Sequence, residues 1–380
     1  MENQSVKILL VEDDPDDVWV VRNLLGDRWD GPFSLTHVEL LSAATERLAE
    51  ESFDAVLLDL TLPDSGGLET FFVMHANAGN VPIVVLTAYD DERIAIKAVQ
   101  AGAEDYLVKG QTDDNSLVRS IRYAIERGRR SRAEEELRAT SEEFRAAGEI
   151  QQRLYPVEAP RIEGFDIAGA LRPAAATAGD YFDYIPMLGE CLGVVVGDVS
   201  SHGMGPALLM SETRACLRTL TQAYFDVGDI LTRANKVLAA DTDDSHFVTL
   251  AMARLDPRTR TLIYAGAGQR GYLLHSGQEV TTLESTSLPL GIKADTVVPT
   301  APPLTLLPGE IVTFFTDGVF EAESPGKARF GADRALNLIR AERNEPAQSI
   351  VDALCREVLG FMRHRPQRDD ITVIVAKVVQ

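Results

Sequence analysis

Four aspartate motifs stand out in the C-terminal half of the chain. They read Ala178-Gly179-Asp180-Tyr181-Phe182-Asp183, Gly197-Asp198-Val199-Ser200, Thr316-Asp317-Gly318 and Asp369-Asp370-Ile371-Thr372. Three of the motifs adjoin apolar runs typical of strands, and strands that converge on one end of a sheet gather the carboxylates beside them. Clustered carboxylates repel one another unless cations lie between them, and hard divalent cations prefer oxygen ligands. The motifs therefore predict a metal-dependent hydrolase.

A second set of polar residues lies in the first third of the chain, each at the end of a predicted strand. In chain order these residues are Glu12, Asp13, Asp59, Thr87 and Lys109. Three acids with a hydroxyl and an ammonium group suit phosphoryl transfer to a carboxylate. The acids would hold magnesium and Asp59 would attack phosphorus, while Lys109 and the cation would balance the charge of the phosphoryl oxygens.

The elements that position this second set alternate between short apolar runs and amphipathic segments over residues 5–125. The pattern predicts strands at Ile8–Val11, Leu35–Val38, Ala55–Leu58, Ile83–Leu86 and Tyr106–Val108. Helices are predicted at Asp16–Leu25, Ala43–Glu50, Leu68–Met74, Glu92–Ala101 and Leu117–Arg127. Such alternation indicates an α/β fold with a parallel, doubly wound sheet, whose chemistry lies at the carboxyl ends of its strands.

Residues 5–125 resemble the receiver domain of two-component response regulators over nearly their whole length. The resemblance implies that Asp59, in Leu57-Leu58-Asp59-Leu60-Thr61, is the phosphoacceptor and that a sensor histidine kinase is a partner. The family also has an acidic magnesium pair, a backbone carbonyl ligand to the same ion, a switch hydroxyl, a switch aromatic and a lysine. The matching positions are Glu12 and Asp13, Thr61, Thr87, Tyr106 and Lys109.

Residues 126–156 are predicted to form a helical linker between two domains. Helix-forming residues run from Ser116 to Tyr155 with no proline, and spaced apolar residues lie among the charges. Two alternatives remain open: a parallel dimeric coiled coil and a solvated helical spacer. The imperfect heptad pattern modestly favours the coiled coil, and with it a homodimer.

The pattern changes over residues 157–380, where many strand-like runs are separated by turn signals and a few long helices. Predicted strands are Asp166–Leu171, Tyr181–Met187, Cys191–Val196, Thr249–Leu255, Thr261–Ala265, Gly271–Leu274, Ile311–Phe315 and Thr372–Val378. Predicted helices are Pro206–Thr221, Ile230–Asp241, Ala332–Arg340 and Ala347–Arg363. Mostly antiparallel sheets with helices packed on them indicate a layered α+β domain.

The four aspartate motifs, in this order, resemble those of PPM-type metal-dependent serine/threonine phosphatases, in particular the SpoIIE/RsbU-like branch of bacterial sigma-factor control. The resemblance covers about residues 145–380. It implies a β-sandwich flanked by helices and two or more manganese or magnesium ions that activate water. The ligands it implies are Asp180, Asp198, the Val199 carbonyl, Asp317 and the pair Asp369 and Asp370, of which Asp369 is favoured.

Three residues near these motifs have other expected roles. Ser201 stands where this branch commonly has glycine, so its side chain would alter the approach of the loop to metal or substrate. His202 would either donate a proton to the leaving oxygen or orient the loop, and both alternatives remain open. Asp183 is expected to support the site or lie on the surface and not to bind metal.

Composition narrows the class of partner and the compartment. A net charge of −21 argues against nucleic-acid and anionic-membrane partners, because phosphate binding needs a basic face. Three widely spaced cysteines predict a reducing compartment without a disulfide framework or a zinc site. No apolar stretch reaches membrane-spanning length, which predicts a cytoplasmic protein.

Together these features predict a response regulator whose output is a protein serine/threonine phosphatase. By resemblance, its substrate is a phosphorylated anti-sigma-factor antagonist. The alternative is a catalytically inactive pseudophosphatase adaptor that binds a sigma factor or its regulator. An adaptor is expected to lack some metal ligands, whereas all four motifs keep their aspartates here. The sequence therefore favours the enzyme.

Overall fold

The computed structural model describes residues 5–88, 92–110, 114–201, 203–242, 246–363 and 365–379. The chain divides into two compact units, Met1–Thr140 and Ser141–Gln380. This division falls within a single long helix, whereas the sequence prediction placed linker boundaries at residues 125/126 and 156/157.

The first unit contains a five-stranded parallel sheet with strand order β2-β1-β3-β6-β7. Its strands are β1 (Val6–Val11), β2 (Phe33–Val38), β3 (Ala55–Asp59), a short pair β4 (Thr61–Leu62) and β5 (Ser65–Gly66), β6 (Ile83–Thr87) and β7 (Asp105–Val108). Its helices are α1 (Pro15–Arg28), α2 (Leu41–Glu50), α3 (Leu68–Ala78), α4 (Glu92–Gln100) and α5 (Asp114–Gln152). The predicted doubly wound α/β fold is confirmed.

Both faces of this sheet are buried, which explains the continuous apolar runs in its strands. In β1, Leu9 and Val11 pack in the core beneath α2, α3 and α4. Ile8 and Leu10 point to the opposite face, where α1 and the start of α5 cover them. The two-sided core leaves the carboxyl edge of the sheet as the place where polar groups can gather.

Helix α5 runs from Asp114 to Gln152, and its first turns belong to the core of the first unit. Its early apolar residues Leu117, Ile121 and Ile125 are buried in the receiver core. These three positions are therefore unavailable to a coiled-coil seam between two copies of α5. Further along, Leu137 is 71% and Ile150 64% exposed, so these two positions keep an apolar surface open to a partner.

The second unit contains two five-stranded antiparallel sheets, ordered β15-β12-β11-β10-β9 and β14-β13-β16-β17-β8. Its strands are β8 (Phe165–Arg172), β9 (Tyr181–Pro186), β10 (Leu192–Val199), β11 (Val248–Asp256), β12 (Thr261–Ala267), β13 (Gly271–Leu274), β14 (Val280–Leu283), β15 (Leu304–Thr305), β16 (Ile311–Phe315) and β17 (Ile371–Val378). Its helices are α6 (Met204–Leu220), α7 (Val227–Asp241), α8 (Asp317–Phe320), α9 (Ala332–Ala341) and α10 (Ala347–Met362).

The two sheets pack face to face, with helices on both outer sides. Val194 and Val196 of β10 meet Ile374 and Ala376 of β17 in the core between the sheets. Alternate residues of the same strands point outward, to a core with α6 and α7 on one side and to a core with α8, α9 and α10 on the other. The predicted sandwich with flanking helices is confirmed, and it brings the ends of β10, β16 and β17 to one place.

Candidate functional site

In the first unit, the carboxyl ends of the parallel strands bring the predicted residues together. Glu12 and Asp13 follow β1, Asp59 ends β3, and Lys109 follows β7. One carboxylate oxygen from each of the three acids lies within 4.8 Å of the others, a spacing that could hold a metal ion. The donor set, three carboxylates, fits a hard divalent cation such as magnesium.

Lys109 is the cationic centre of this site. Its Nζ lies 2.5 Å from Asp59 Oδ2, 2.7 Å from Glu12 Oε2 and 2.9 Å from Asp17 Oδ2. Burial lowers the pKa of Lys109, but hydrogen bonds to these acids outweigh burial and raise it above its ordinary value. The ammonium group therefore stays charged beside Asp59.

Burial also raises the pKa of Glu12 to about 7, opposed by its hydrogen bond from Lys109 and supported by the neighbouring charge of Asp59. A bound divalent cation would favour the ionised form. Asp17 is a member of this site that sequence reasoning missed. It lies in the first turn of α1, which begins directly after the Glu12-Asp13 segment at this edge of the sheet.

The other predicted receiver residues surround Asp59. The Thr61 backbone N–H donates to Asp59 Oδ1 over 3.0 Å, and the metal role of its carbonyl stays a prediction. Thr87 is buried, and its hydroxyl donates to the Ala88 carbonyl over 3.2 Å. Tyr106 is half-buried against the core beneath α4. The structure thus brings Asp59, the other acids and Lys109 together and places Thr87 at the end of the neighbouring strand β6.

In the second unit, the four motifs lie at one end of the sandwich. Asp180 precedes β9 and Asp198 lies near the end of β10, both in the first sheet. Asp317 follows β16, and Asp369 precedes β17, both in the second sheet. Hydrogen bonds join the two halves, because the hydroxyls of Thr316 (2.7 Å) and Thr372 both donate to Asp180 Oδ2.

Burial and mutual repulsion raise the pKa values of Asp180, Asp198 and Asp317. The pKa of Asp198 rises to about 8 because of burial and then of the charges of Asp317, Asp369 and Asp370. That of Asp317 rises to about 6, through burial and then Asp369 and Glu321. Burial, followed by Asp198 and Asp370, raises the pKa of Asp180 well above its ordinary value. Acids arranged in this way are stabilised as carboxylates by nearby cations.

Asp317 gives the clearest indication that a cation fits. Its Oδ1 is buried, and among the described residues it has no hydrogen-bond partner. A buried, unpaired carboxylate oxygen is costly unless a positive charge compensates it. The C-terminal acids are spaced more widely than the receiver triad, since no three of them in the described chain meet the 4.8 Å spacing.

Asp369 and Asp370 have different surroundings. Both oxygens of Asp370 accept backbone N–H groups, from Ala174 (2.7 Å), Gly179 (2.8 Å) and Asp180 (3.3 Å). Asp369 is exposed and lines a pocket together with Asp198. The geometry therefore leaves Asp369 available as a ligand and uses Asp370 to hold the segment that carries Asp180.

The glycine of the Thr-Asp-Gly motif has a packing role. A Cβ atom on Gly318 would lie 1.9 Å from the Asp370 carbonyl oxygen. Only glycine lets the backbone at the start of α8 approach the residues before β17 this closely. Gly318 thereby brings Asp317 next to Asp369.

The loop after β10 has a strained residue. Ser201 has φ of +75°, in the left-handed region that favours glycine. The preceding Ser200 is anchored, since its N–H donates to the Phe247 carbonyl over 2.9 Å and its hydroxyl accepts from the Phe247 N–H over 3.0 Å. Val199 is buried at the end of β10. His202 lies outside the described residues.

Residues at the end of α5 and just after it form hydrogen bonds with the segment that carries Asp180. Gln151 is buried, its amide donates to the Ala178 carbonyl over 2.8 Å, and its Oε1 accepts from the Ala178 N–H over 2.9 Å. Tyr155 donates to the Asp180 carbonyl over 2.9 Å. A Cβ on Gly148 would lie 2.0 Å from the Ala176 carbonyl oxygen, so the helix passes very close to this segment. Sequence reasoning missed Gln151, because a lone glutamine in a polar helix carries no local signal.

The expectation of a surface position for Asp183 is wrong. Asp183 is fully buried, and Arg218 pairs with both of its oxygens, at 2.7 and 2.6 Å. Tyr181 donates to the same carboxylate over 2.7 Å. Along a strand, every second side chain points to the same face, so Asp183 faces α6 with Tyr181. It forms a buried ion pair between the sheet and this helix.

The fold and the two acidic sites define a class of protein, in which a response-regulator receiver unit and a PPM-type phosphatase unit share one chain. The family model of Stage II sporulation protein E (SpoIIE) matches residues 189–379. The model of the response regulator receiver domain matches residues 8–122. The chain therefore belongs to the SpoIIE family and carries a receiver domain.

Two relatives align with more than half of this chain. The chain is 27% identical to Protein IcfG of Synechocystis sp. over 353 residues, which cover 84% of the chain and 54% of IcfG. It is 27% identical over 240 residues to Phosphoserine phosphatase RsbU of Bacillus subtilis, covering 62% of the chain and 70% of RsbU. The chain thus spans about half the length of IcfG.

Solved structures agree with the fold of the second unit. The SiaA-PP2C domain of Pseudomonas aeruginosa aligns with a TM-score of 0.57 and 22% identity, over 64% of this chain and 98% of that domain. The RsbU and RsbW domains of Rv1364c from Mycobacterium tuberculosis align with a TM-score of 0.51 and 27% identity, over 60% of this chain and 63% of that chain.

Within the described residues, none of the helices combines the length and the apolar character that a membrane crossing requires.

Proposed function

We propose that this chain is a response regulator in which phosphorylation of Asp59 controls a manganese- or magnesium-dependent protein serine/threonine phosphatase. The observation that carries the proposal is the meeting of acids from two sheets around the buried, unpaired Oδ1 of Asp317. Membership of the SpoIIE family and similarity to a phosphoserine phosphatase support the same activity.

In the phosphatase site, Asp180, Asp198, Asp317 and Asp369 would hold the cations, with the Val199 carbonyl as a further ligand. When bound, divalent cations supply the Lewis acidity that activates water and neutralises phosphoryl oxygens. Asp370 orients the Asp180 segment through backbone N–H groups. The Thr316 and Thr372 hydroxyls fix one oxygen of Asp180. Preorganised ligands of this kind lower the reorganisation cost of the reaction.

In the receiver site, Asp59 would accept a phosphoryl group from a sensor histidine kinase, while Glu12, Asp13 and the Thr61 carbonyl hold magnesium. Lys109 already contacts Asp59, and after phosphorylation its ammonium group would pair with the charged phosphoryl oxygens. Thr87 and Tyr106 would be the switch hydroxyl and the switch aromatic that respond to phosphorylation of Asp59, in line with the receiver match.

The coupling between the two sites would pass through α5. Gln151 in its last turn contacts Ala178, and Tyr155, three residues beyond the helix, contacts the Asp180 carbonyl, so a shift of the helix would move a proposed metal ligand. Phosphorylation would then change activity by altering the populations of two α5 arrangements. A homodimer through the exposed part of α5, in which Leu137 is an exposed apolar residue, is a further part of this proposal.

The substrate that we propose is a phosphorylated anti-sigma-factor antagonist, a small phosphoserine protein. Support comes from the relation to RsbU and to the RsbU domain of Rv1364c. The strongly negative net charge disfavours a nucleic-acid partner.

The activity can be tested by measuring manganese-dependent release of phosphate from a phosphoserine protein. We expect turnover by the wild type and a loss of at least about 100-fold in Asp317→Ala, because metal affinity depends on each carboxylate. Asp295→Ala is the matched control, since Asp295 is an exposed acid paired with Lys293. Equal and negligible turnover in all three proteins would refute the enzyme and support the pseudophosphatase adaptor.

A further inference from the structure

A pocket beside the C-terminal acids combines metal-binding groups with one arginine. Asp198, Asp369, Ser201, Gln367 and Arg368 are among its lining residues. Arg368 is the one lysine or arginine among the described residues that line it. A neighbouring recess shares Gln367, Arg368 and Asp369, so Arg368 stands where the two recesses join.

The backbone that carries Arg368 is held on both sides. The Gln367 side-chain amide donates to the Arg172 carbonyl over 2.6 Å and to the Asp369 carbonyl over 2.8 Å. On the outer side, Glu323 Oε2 lies 3.6 Å from Arg368 Nη1 and 2.9 Å from Arg365 Nη1. The Arg368 side chain is 79% exposed, so its donors are accessible to a ligand in the pocket.

The carboxylates of this pocket favour a positively charged side chain at its rim when a phosphorylated ligand binds. A phosphorylated serine brings close to two negative charges to carboxylates that repel it, and metal ions compensate only part of the field. A guanidinium group presents a planar set of donors that matches two phosphoryl oxygens, which an ammonium group cannot do. Arg368 has the charge, the shape and the location for this role.

We propose that Arg368 binds the phosphoryl group of the substrate and is a specificity-determining residue of the phosphatase site. The inference rests on the proposed function and adds a residue that the acidic motifs do not include. Its ion pair with Glu323 is exposed, and exposed pairs contribute little to stability. Removal of the Arg368 side chain therefore changes ligand binding while the fold keeps its stability.

The test compares wild type, Arg368→Ala, Arg368→Lys and Arg329→Ala in the full chain with manganese. Arg329 is a matched control, because it is 64% exposed, pairs with Glu321 at 2.8 Å and lies only in the neighbouring recess. We expect KM for a phosphoserine peptide to rise about tenfold or more in Arg368→Ala, the scale of a lost charge-assisted hydrogen bond. Arg368→Lys should recover part of the loss, and Arg329→Ala should match the wild type.

Calorimetric titration of inorganic phosphate into the manganese-treated proteins keeps the inference separate from the activity. Affinity for phosphate should fall in Arg368→Ala by a factor similar to the rise in KM. If the wild type has no turnover, the proposed function fails and phosphate affinity alone decides. Phosphate affinity within twofold of the wild type in Arg368→Ala would overturn the inference, as would an equal loss in Arg329→Ala.

Discussion

At the scale of single residues, Ser201 has a backbone conformation that favours glycine. Its φ of +75° lies in the left-handed region, which costs a residue with a Cβ atom about 1–2 kcal/mol. The loop is anchored before it by the two Ser200–Phe247 hydrogen bonds, so the backbone cannot readily relax. The serine therefore keeps strain next to Asp198, where backbone strain often accompanies function.

Replacing Ser201 with glycine should raise the stability of the second unit. Relief of the left-handed strain, about 1–2 kcal/mol, exceeds the extra entropy of glycine in the unfolded chain, about 0.4–1 kcal/mol. Thermal unfolding of Ser201→Gly should show a gain of up to about 1 kcal/mol over the wild type. Ser201→Ala, which keeps the Cβ atom, should show no gain. A lower melting temperature in Ser201→Gly would contradict this account of the loop.

At the scale of elements, α5 is the feature with the most direct route to the phosphatase site. Its early turns complete the receiver core with Leu117 and Ile121, and its last turn holds Ala178 through Gln151. Buried polar groups that lose their partners cost about 1–3 kcal/mol each. The Gln151 contact is therefore strong enough to influence where Asp180 lies.

The substitution Gln151→Met tests this contact, because methionine has a similar length but cannot pair with the Ala178 backbone. We expect manganese affinity, measured by calorimetry, to fall about tenfold, as for other changes that disturb the support of a metal ligand. Gln152→Met is the matched control at the next, exposed position and should bind manganese like the wild type. Equal affinity in the two variants would exclude a role for the α5 end in shaping the site.

The elements differ in how far the sequence predicts them. The strand predicted at Ile311–Phe315 is observed at those bounds, because a short apolar run between turn residues favours a buried strand and marks both of its ends. The strands β14 and β15 and the helix α8 were not predicted, since two to four residues are too few to show a period. Two hydrogen bonds near Asp180 join residues that are distant in the sequence. Gln151 and Ala178 are 27 positions apart, and Asp370 and Gly179 are 191 positions apart, so no local pattern indicates these contacts.

At the scale of the whole molecule, the two acidic sites would perform different steps with similar ligands. In the receiver, Asp59 would be both a metal ligand and the group that is modified. In the second unit, the aspartates would only hold cations while water attacks the substrate. Both sites lie at strand ends in their own unit, and several of their carboxylates are buried there.

The raised pKa values predict how metal-free protein responds to pH. In the folded chain, the pKa of Asp198 is about 8 and that of Asp317 about 6, against 3.8 ordinarily. Unfolding at intermediate pH therefore releases protons, so these groups make stability fall as pH rises from about 4 to about 8. Thermal unfolding in chelator should show this fall in the wild type relative to Asp198→Asn.

Manganese should oppose this fall, because the cation binds the ionised acids and adds more stability at pH 8 than at pH 5. The relevant quantity is the difference between wild type and Asp198→Asn, since other acids titrate in both proteins. A difference that stays constant over this pH range would contradict the description of the acidic cluster.

The most direct test of the central claim is the rate of manganese-dependent dephosphorylation of a phosphoserine protein, measured with and without a small phosphoryl donor such as phosphoramidate. Phosphorylation of Asp59 should change the rate at least about fivefold, the lower range of typical coupling between sites. Asp59→Ala should be insensitive to the donor while it keeps the unphosphorylated rate. Contradiction would come from an unchanged rate in fully phosphorylated wild type, or from an equal response in Asp59→Ala.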